Sequence, residues 1–228
     1  INDEDDPGIH LRIYHQGEPL ALSRVLPMIE NMGLFVTIHH GPYIINPLGS
    51  AQSIWLHDFV VQIQHALPHT LDKVQSLFEE AFRQVWSQKV PDDGFNQLVL
   101  RAALPWREVN VLRTLVKYAH QIRSPQSRQM MIATLAKHPR LTQIVIEQFD
   151  WRHNPAKQRD AAKQFAALEQ EAQALLAEVP ILDEDRVIRR FLNLIKASLR
   201  TNYFQPGVDG QPKDYLSIKF NCAEIEGL

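Results

Sequence analysis

The chain has 228 residues, 45% hydrophobic and 22% charged, with 24 basic and 26 acidic side chains and a formal charge of −2. That length favours two modest domains over one large one. The near-neutral balance gives no electrostatic case for nucleic acid or an anionic membrane surface, and no apolar run approaches the ~20 residues of a membrane helix.

In chain order, Ile1-Asn2-Asp3-Glu4-Asp5-Asp6 is acidic, where a signal peptide starts basic and then turns apolar. The absence of an initiator Met points to a piece of a longer polypeptide. Ile9 to Tyr14 alternates Leu11 and Ile13 against His10, Arg12 and Tyr14, the period of a half-buried strand. After Gly17 and Pro19 a helix is expected, with Ser23 as its N-cap and Leu22, Val25, Leu26, Ile29 and Met32 on one face. Pro27 then has to fall in the first turn, where few N–H groups are bonded. Gly33 supplies a left-handed stop. Leu34 to His39 reads as a second strand, Gly41-Pro42 as a turn before Tyr43-Ile44-Ile45, and Ser53 to Val61 as a further strand. This is the opening of a split βαβ, ferredoxin-like arrangement, without a clear final strand.

From Thr70 to Arg200 the period changes to 3.6. Thr70 caps a helix that carries Val74, Leu77, Phe78, Ala81, Phe82, Val85 and Trp86. Val90 to Gly94 reads as a loop, and a short helix follows through Leu98 to Ala103. Pro105 opens a helix with Val109, Leu112, Leu115, Val116 and Ala119 buried. Ser124-Pro125 is expected to cap the next, Pro139 to start another, and Asn154-Pro155 to precede a long one from Lys157 to Val179. The long helix has a thin stripe at Phe165, Leu168, Ala172 and Leu175 and a mostly solvent-facing surface. Asp183, Glu184 and Asp185 start a last amphipathic helix with Val187, Ile188, Phe191, Leu192, Ile195 and Leu199 on its apolar face. Tyr215 to Phe220 reads as a strand with no neighbour left to pair with. The fold class is therefore α+β, a small ferredoxin-like module followed by a predominantly helical bundle.

The polar residues form no convergent site. His39 and His40 are adjacent on a strand and point to opposite faces. His65 and His69 have helical i, i+4 spacing but enclose Pro68, and no Glu follows His65, so no metal site is assigned. Cys222 is the only cysteine, which excludes an internal disulfide and fits a reducing, cytoplasmic setting; it is expected as a small, at least half-buried residue. No nucleophile elbow or glycine-rich phosphate cradle is present, so no catalytic and no cofactor-binding residue is named. Asp58 is expected as a partly buried carboxylate paired with an Arg or a backbone N–H. Asp92-Asp93-Gly94 reads as turn chemistry, Trp106 as a bundle anchor, and Arg107 and Glu108 as surface or interhelical partners. Gln16, Gly17, Glu18 and Leu20, around Pro19, form the first strand-to-helix loop, where small ferredoxin-like regulatory domains take effectors. The loop lacks the Asp and Gly pattern of amino-acid-binding versions, which leaves a packing role equally open.

Several blocks together resemble the large NAD-specific glutamate dehydrogenases of bacteria. They are Pro19 to Ser23, Val25 to Gly33, Asp93 to Leu100, Trp106 to Val109, Leu182 to Arg186, Leu199 to Gln205 and Ser217 to Phe220. The resemblance implies an ACT-like module at residues 1–69, a helical domain at 70–200 and the start of a catalytic domain at 201–228. It implies that NAD and every catalytic residue lie beyond Leu228, and that the parent enzyme is a homo-oligomer oxidising L-glutamate. Arg200, Asn202, Tyr203 and Phe204 would then dock on the catalytic domain of the same chain and stay partly exposed here. An amino-acid-sensing module and a free-standing helical adaptor are the competing readings.

Overall fold

The protein is described from a computed structural model, which covers residues 8–46, 53–63 and 70–226. Two compact units divide between Leu100 and Arg101. The boundary expected after residue 69 lies outside the described residues, as do His65, His69 and the acidic start.

The first unit contains β1 (Ile9–Gln16), α1 (Leu22–Asn31), β2 (Leu34–Ile45), β3 (Ile54–Ile63) and α2 (Leu71–Trp86). β3 lies between β1 and β2 and is antiparallel to both, the split βαβ order the alternation predicts. Leu11 sits opposite Phe59 and Ile13 opposite His57. Phe59 and Val61 are buried, as are Val25 and Ile29 of α1, Met32 at its C-terminal cap and Val74 of α2. The two helices meet where the Arg24 guanidinium stacks 4.4 Å from the Trp86 ring centre. In the register Asp58 stands between Arg12 and His40. It accepts hydrogen bonds from Arg12 Nε at 3.2 Å and His10 Nδ1 at 3.0 Å, the structural pairing expected of it.

Three local expectations for this unit are corrected. α1 begins at Leu22, because the N–H groups of Arg24 and Val25 both close on the Ala21 carbonyl; Ser23 lies inside the first turn and is not the cap. Pro27 therefore sits in the second turn, where it removes the N–H that would have bonded the carbonyl of exposed Ser23. Gly41-Pro42 is not a turn between two strands. It is a cis-proline bulge within β2, and β3 is long enough to pair on both sides of it. Gly41 has φ +103°, and a Cβ there would lie 2.9 Å from the Leu56 carbonyl oxygen. Gly33 is left-handed as expected, with φ +87°.

A 3-10 turn at Gly94–Gln97 is capped by Asp93 Oδ1, which accepts from the Phe95 N–H, and Asn31 Nδ2 bonds Asp92. This is the turn role assigned to these aspartates. α3 (Leu98–Arg101) stops before Ala103, whose φ of +50° cannot continue a helix.

The second unit packs α4 (Trp106–Gln121), α5 (Arg128–Lys137), α6 (Pro139–His153), α7 (Ala161–Leu176) and α8 (Leu182–Ala197). Leu112, Leu115, Met131, Leu135, Ile144, Ile188 and Phe191 fill its core. The cap of α5 is Ser127, whose hydroxyl accepts from Met130 N–H; Ser124 instead closes α4 on the Ala119 carbonyl. α7 is shorter than the Lys157–Val179 span, because Pro155–Asp160 forms a 3-10 segment first. Its buried line is Leu168, Ala172 and Leu176, with Leu175 only half-buried. α8 ends before Leu199, which lies in β4 (Ser198–Thr201) and is 51% exposed. Tyr215 to Phe220 does have a partner: its strand, β5 (Ile218–Phe220), pairs antiparallel with β4.

Phe59 fills the centre of the three-stranded sheet. Phe59→Ala should lower unfolding free energy by about 3–5 kcal/mol, read from denaturant midpoints. A loss under about 1 kcal/mol would mean that the sheet is not packed as described.

Candidate functional site

The Gln16–Leu20 loop is held from inside the first unit. The Gly17 N–H donates to the Ser53 carbonyl at 3.1 Å, and the Gly17 carbonyl accepts from Trp55 Nε1 at 2.7 Å. His15 Nδ1 donates to the Glu18 carbonyl. Pro19 has no N–H, and Leu20 N–H donates to Nε2 of His57 at 3.1 Å. The side chains of Gln16 and Glu18 face solvent. With Nε2 accepting, His57 carries its proton on Nδ1 and donates it to Nε2 of His39 at 3.0 Å. Burial, then the neighbouring imidazoles, pushes the His57 pKa down; burial, then His40, does the same for His39. Both rings are therefore held neutral. Sequence reasoning missed this relay, although His57 between Trp55 and Phe59 on an apolar strand face was the available signal.

In the second unit the passage from α8 to β4 is pinned by Ser198, which is fully buried. Its hydroxyl donates to the Ile195 carbonyl at 2.6 Å and accepts from His153 Nε2 at 2.7 Å, while its carbonyl accepts from Arg152 Nε at 2.6 Å. Asn202 closes the hairpin behind it. Its Nδ2 donates to the Tyr215 carbonyl at 2.9 Å and its Oδ1 accepts from the Ser217 N–H at 2.8 Å. Arg107 of α4 donates to the Tyr203 carbonyl at 2.8 Å and stacks 4.3 Å from the Tyr203 ring centre. The Tyr203 ring meets Phe149 of α6 edge-on at 5.4 Å, and Phe204 stacks on the same phenylalanine at 6.3 Å. Of the four residues predicted to dock elsewhere, Tyr203 and Phe204 thus pack on the bundle of this chain, and Asn202 bonds within the hairpin. Arg200 points to solvent, as do Leu199, Val208 and Tyr215.

Beneath the hairpin lies a titratable cluster that the sequence did not single out. Burial, then Asp150 and Glu147, pushes the Glu108 carboxyl up to about 7. Burial, then Glu108, pushes the Tyr203 hydroxyl up to about 12. Burial, then Arg152, pushes His153 down to about 4. Cys222, expected at least half-buried, is an exposed free thiol, its sulfur 3.8 Å from the Tyr118 hydroxyl. Among the described residues no three His, Cys, Asp or Glu side chains converge as metal ligands. No helix among them is long and apolar enough to cross a membrane.

Three family descriptions match this chain in order. They are the glutamate dehydrogenase ACT3 domain over residues 1–74, glutamate dehydrogenase helical motif 3 over 90–155, and the bacterial NAD-glutamate dehydrogenase catalytic domain over 171–228. NAD-specific glutamate dehydrogenases of Halomonas elongata and Pseudomonas aeruginosa are each 38% identical, over 99% and 96% of this chain. That of Mycobacterium tuberculosis is 30% identical over all of it. The chain belongs to the large bacterial NAD-specific glutamate dehydrogenase family. It spans 14% of the length of each of these relatives.

Within this glutamate dehydrogenase segment the hairpin anchor carries two opposed pH terms. Glu108 has a raised pKa, so its contribution is fully present below about 4.5 and lost as pH rises toward about 7. His153 has a lowered pKa, so its contribution is present above about 6.5 and lost as pH falls toward about 4. Each is worth on the order of 2–3 kcal/mol, and between pH 4.5 and 6.5 they offset one another. Relative to wild type, Glu108→Gln should gain thermal stability as pH rises through that window. His153→Gln should gain as pH falls through it. Differences that stay flat with pH would show both groups to be water-exposed. In the first unit, His57→Phe should cost about 1–3 kcal/mol and speed hydrogen exchange of the Leu20 amide, which loses its buried acceptor.

Proposed function

We propose that this chain is a non-catalytic regulatory and scaffolding segment of an NAD-specific glutamate dehydrogenase acting in the cytoplasm. The parent reaction is oxidative deamination of L-glutamate to 2-oxoglutarate and ammonia, with NAD as hydride acceptor bound outside these residues. Support for the parent activity is the name shared by the three relatives. A free, exposed cysteine and no disulfide accord with the cytoplasmic assignment. In this reading an ACT-like module reaches residue 69, a helical region follows to residue 200, and the catalytic domain opens beyond it. The catalytic-domain match starts earlier, at residue 171, and takes α8 into that opening.

The observation that carries the reading is the two-sided hairpin. One side is clamped to α4 and α6 through Arg107, Phe149, Arg152 and His153. The other leaves Leu199, Val208 and Tyr215 open for the catalytic domain of the same polypeptide. A hairpin held this way fixes the orientation in which the catalytic domain begins. The loop at Gln16–Leu20 favours packing over effector capture, because the N–H groups of Gly17 and Leu20 already have internal partners.

The test uses the full-length enzyme. Arg107→Ala and Phe149→Ala should each lower kcat for glutamate oxidation while leaving KM for glutamate and for NAD unchanged, because neither side chain touches substrate. The 228-residue chain alone should form no NADH from glutamate and NAD. Turnover by the chain alone, or full activity in both variants, would contradict the proposal.

A further inference from the structure

The helices of the second unit bury one polar side chain that no neighbouring group satisfies. Along α6 the buried stripe passes through Leu141, Ile144, Val145, Gln148 and Phe149, a helical spacing in which all but Gln148 are apolar. Gln148 is 2% exposed, and its Oε1 has no hydrogen-bond partner among the described residues. Its amide nitrogen has none among them either. A leucine at this position would continue the stripe without leaving an oxygen unpaired. Buried polar atoms are otherwise almost always paired, so this amide calls for an occupant.

Gln148 lies on the floor of a pocket of about 120 Å3 between α6, α7 and α8, and it alone of the lining residues is fully buried. Phe165 of α7 and Leu192 of α8, both half-buried, give the walls apolar surface. Arg189, Lys196, Glu169 and Glu226 bring charge to the mouth. Those charges balance, and the cations are already answered. Lys196 Nζ lies 3.2 Å from Glu169 Oε1, and Arg189 Nε lies 2.9 Å from Asp185 Oδ2. Asn193 is consumed by the main chain, donating to the Glu224 carbonyl and accepting from the Glu226 N–H, both at 3.1 Å. An ion therefore meets no uncompensated charge here, and a purely apolar molecule leaves Gln148 unpaired. The floor selects an uncharged group with a donor and an acceptor side by side, because an amide offers both.

We infer that this pocket binds a small molecule through a primary carboxamide, which donates an N–H to Gln148 Oε1 and accepts from Gln148 Nε2. The aliphatic part of the molecule lies against Phe165 and Leu192. A single water needs about 10–15 Å3 of such space, so the pocket has room for a molecule of several heavy atoms. The carboxamide can belong to a free aliphatic amide or to the side chain of an amino acid such as glutamine, whose ammonium and carboxylate then face the mixed charges of the mouth. The site adjoins the hairpin anchor. Arg152, which holds Ser198, is one turn beyond Gln148 on α6, and Lys196 lies just before Ser198 on α8. A molecule seated here ties α6 to α7 and α8 at the place from which the hairpin departs. The site is built from residues of the second unit alone and does not rest on the enzyme assignment.

The experiment is saturation-transfer NMR on the full-length polypeptide, titrated with propionamide, glutamine and propionate in the millimolar range, for wild type and for Gln148→Leu. The expected result is transfer to propionamide that weakens about tenfold in Gln148→Leu, with little transfer to propionate. Glutamine that displaces propionamide identifies an amino-acid amide as the source of the head group, and glutamine that does not displace it identifies a free amide. No transfer to either amide in wild type would overturn the inference and leave a pocket of ordered water only. Transfer unchanged in Gln148→Leu would overturn it by placing the binding elsewhere. Propionate binding as tightly as propionamide would overturn it by giving selection to the charges of the mouth. Gln148→Leu should melt no lower than wild type without ligand, because it removes an unpaired amide. Leu192→Phe narrows the pocket from its wall while keeping the floor, and should weaken propionamide binding likewise.

Discussion

The second unit depends on one buried hydroxyl. Ser198 stands where α8 stops and β4 begins, and it receives His153, Arg152 and the last turn of α8 at a single point. A helix end leaves carbonyls without partners, and a chain leaving it can go in many directions. Here the direction is fixed by hydrogen bonds from a neighbouring helix in a water-poor setting, where an unpaired partner would cost about 1–3 kcal/mol. Everything after it follows: β4 takes up β5, Asn202 closes the two arms, and Tyr203 and Phe204 come to rest on Phe149.

That anchor is also where charge is least comfortable. Burial, reinforced by repulsion from Asp150 and Glu147, holds a proton on Glu108 near neutral pH. His153 is kept neutral by burial and by Arg152. Surface networks elsewhere in the unit, such as Arg140 between Glu147 and Glu171, are half-exposed and worth ~1 kcal/mol or less. The pH response of this end of the molecule therefore depends on two half-buried groups whose opposed contributions offset one another between pH 4.5 and 6.5. The surface pairs shape helix contacts without deciding them.

The order of elements was legible in the sequence because it is written in period. Alternation placed β1 and β3, 3.6-residue spacing placed α2, α4 and α8, and Pro139 marked the start of α6. What failed was part of the punctuation. Ser23, Ser124 and Gly41-Pro42 are residues with turn and cap chemistry, but which carbonyl or N–H they meet is set by neighbours distant in sequence. Leu199 continues the helical spacing of α8 and still leaves the helix, because Ser198 is captured by α6. The pairing of β4 with β5 was invisible for the same reason, since a strand as short as Ser198–Thr201 carries no readable alternation. At the candidate sites, the sequence singled out the loop and the Arg200–Phe204 segment but not the contacts that hold them. His57 and Glu108 were not, because an isolated histidine or a first-turn glutamate looks ordinary until its surroundings are known. The family resemblance came from blocks such as Trp106 to Val109 and Leu182 to Arg186, whose individual residues argue for packing alone.

The central claim is that the hairpin joins a helical bundle to a catalytic domain. The most direct measurement is hydrogen exchange of the Pro206–Tyr215 tip in the full-length enzyme, compared with the same tip in the 228-residue chain. The account predicts slow exchange in the enzyme and fast exchange in the chain, because Val208 and Tyr215 become covered. Equally fast exchange in both would show that the hairpin ends in solvent and joins nothing.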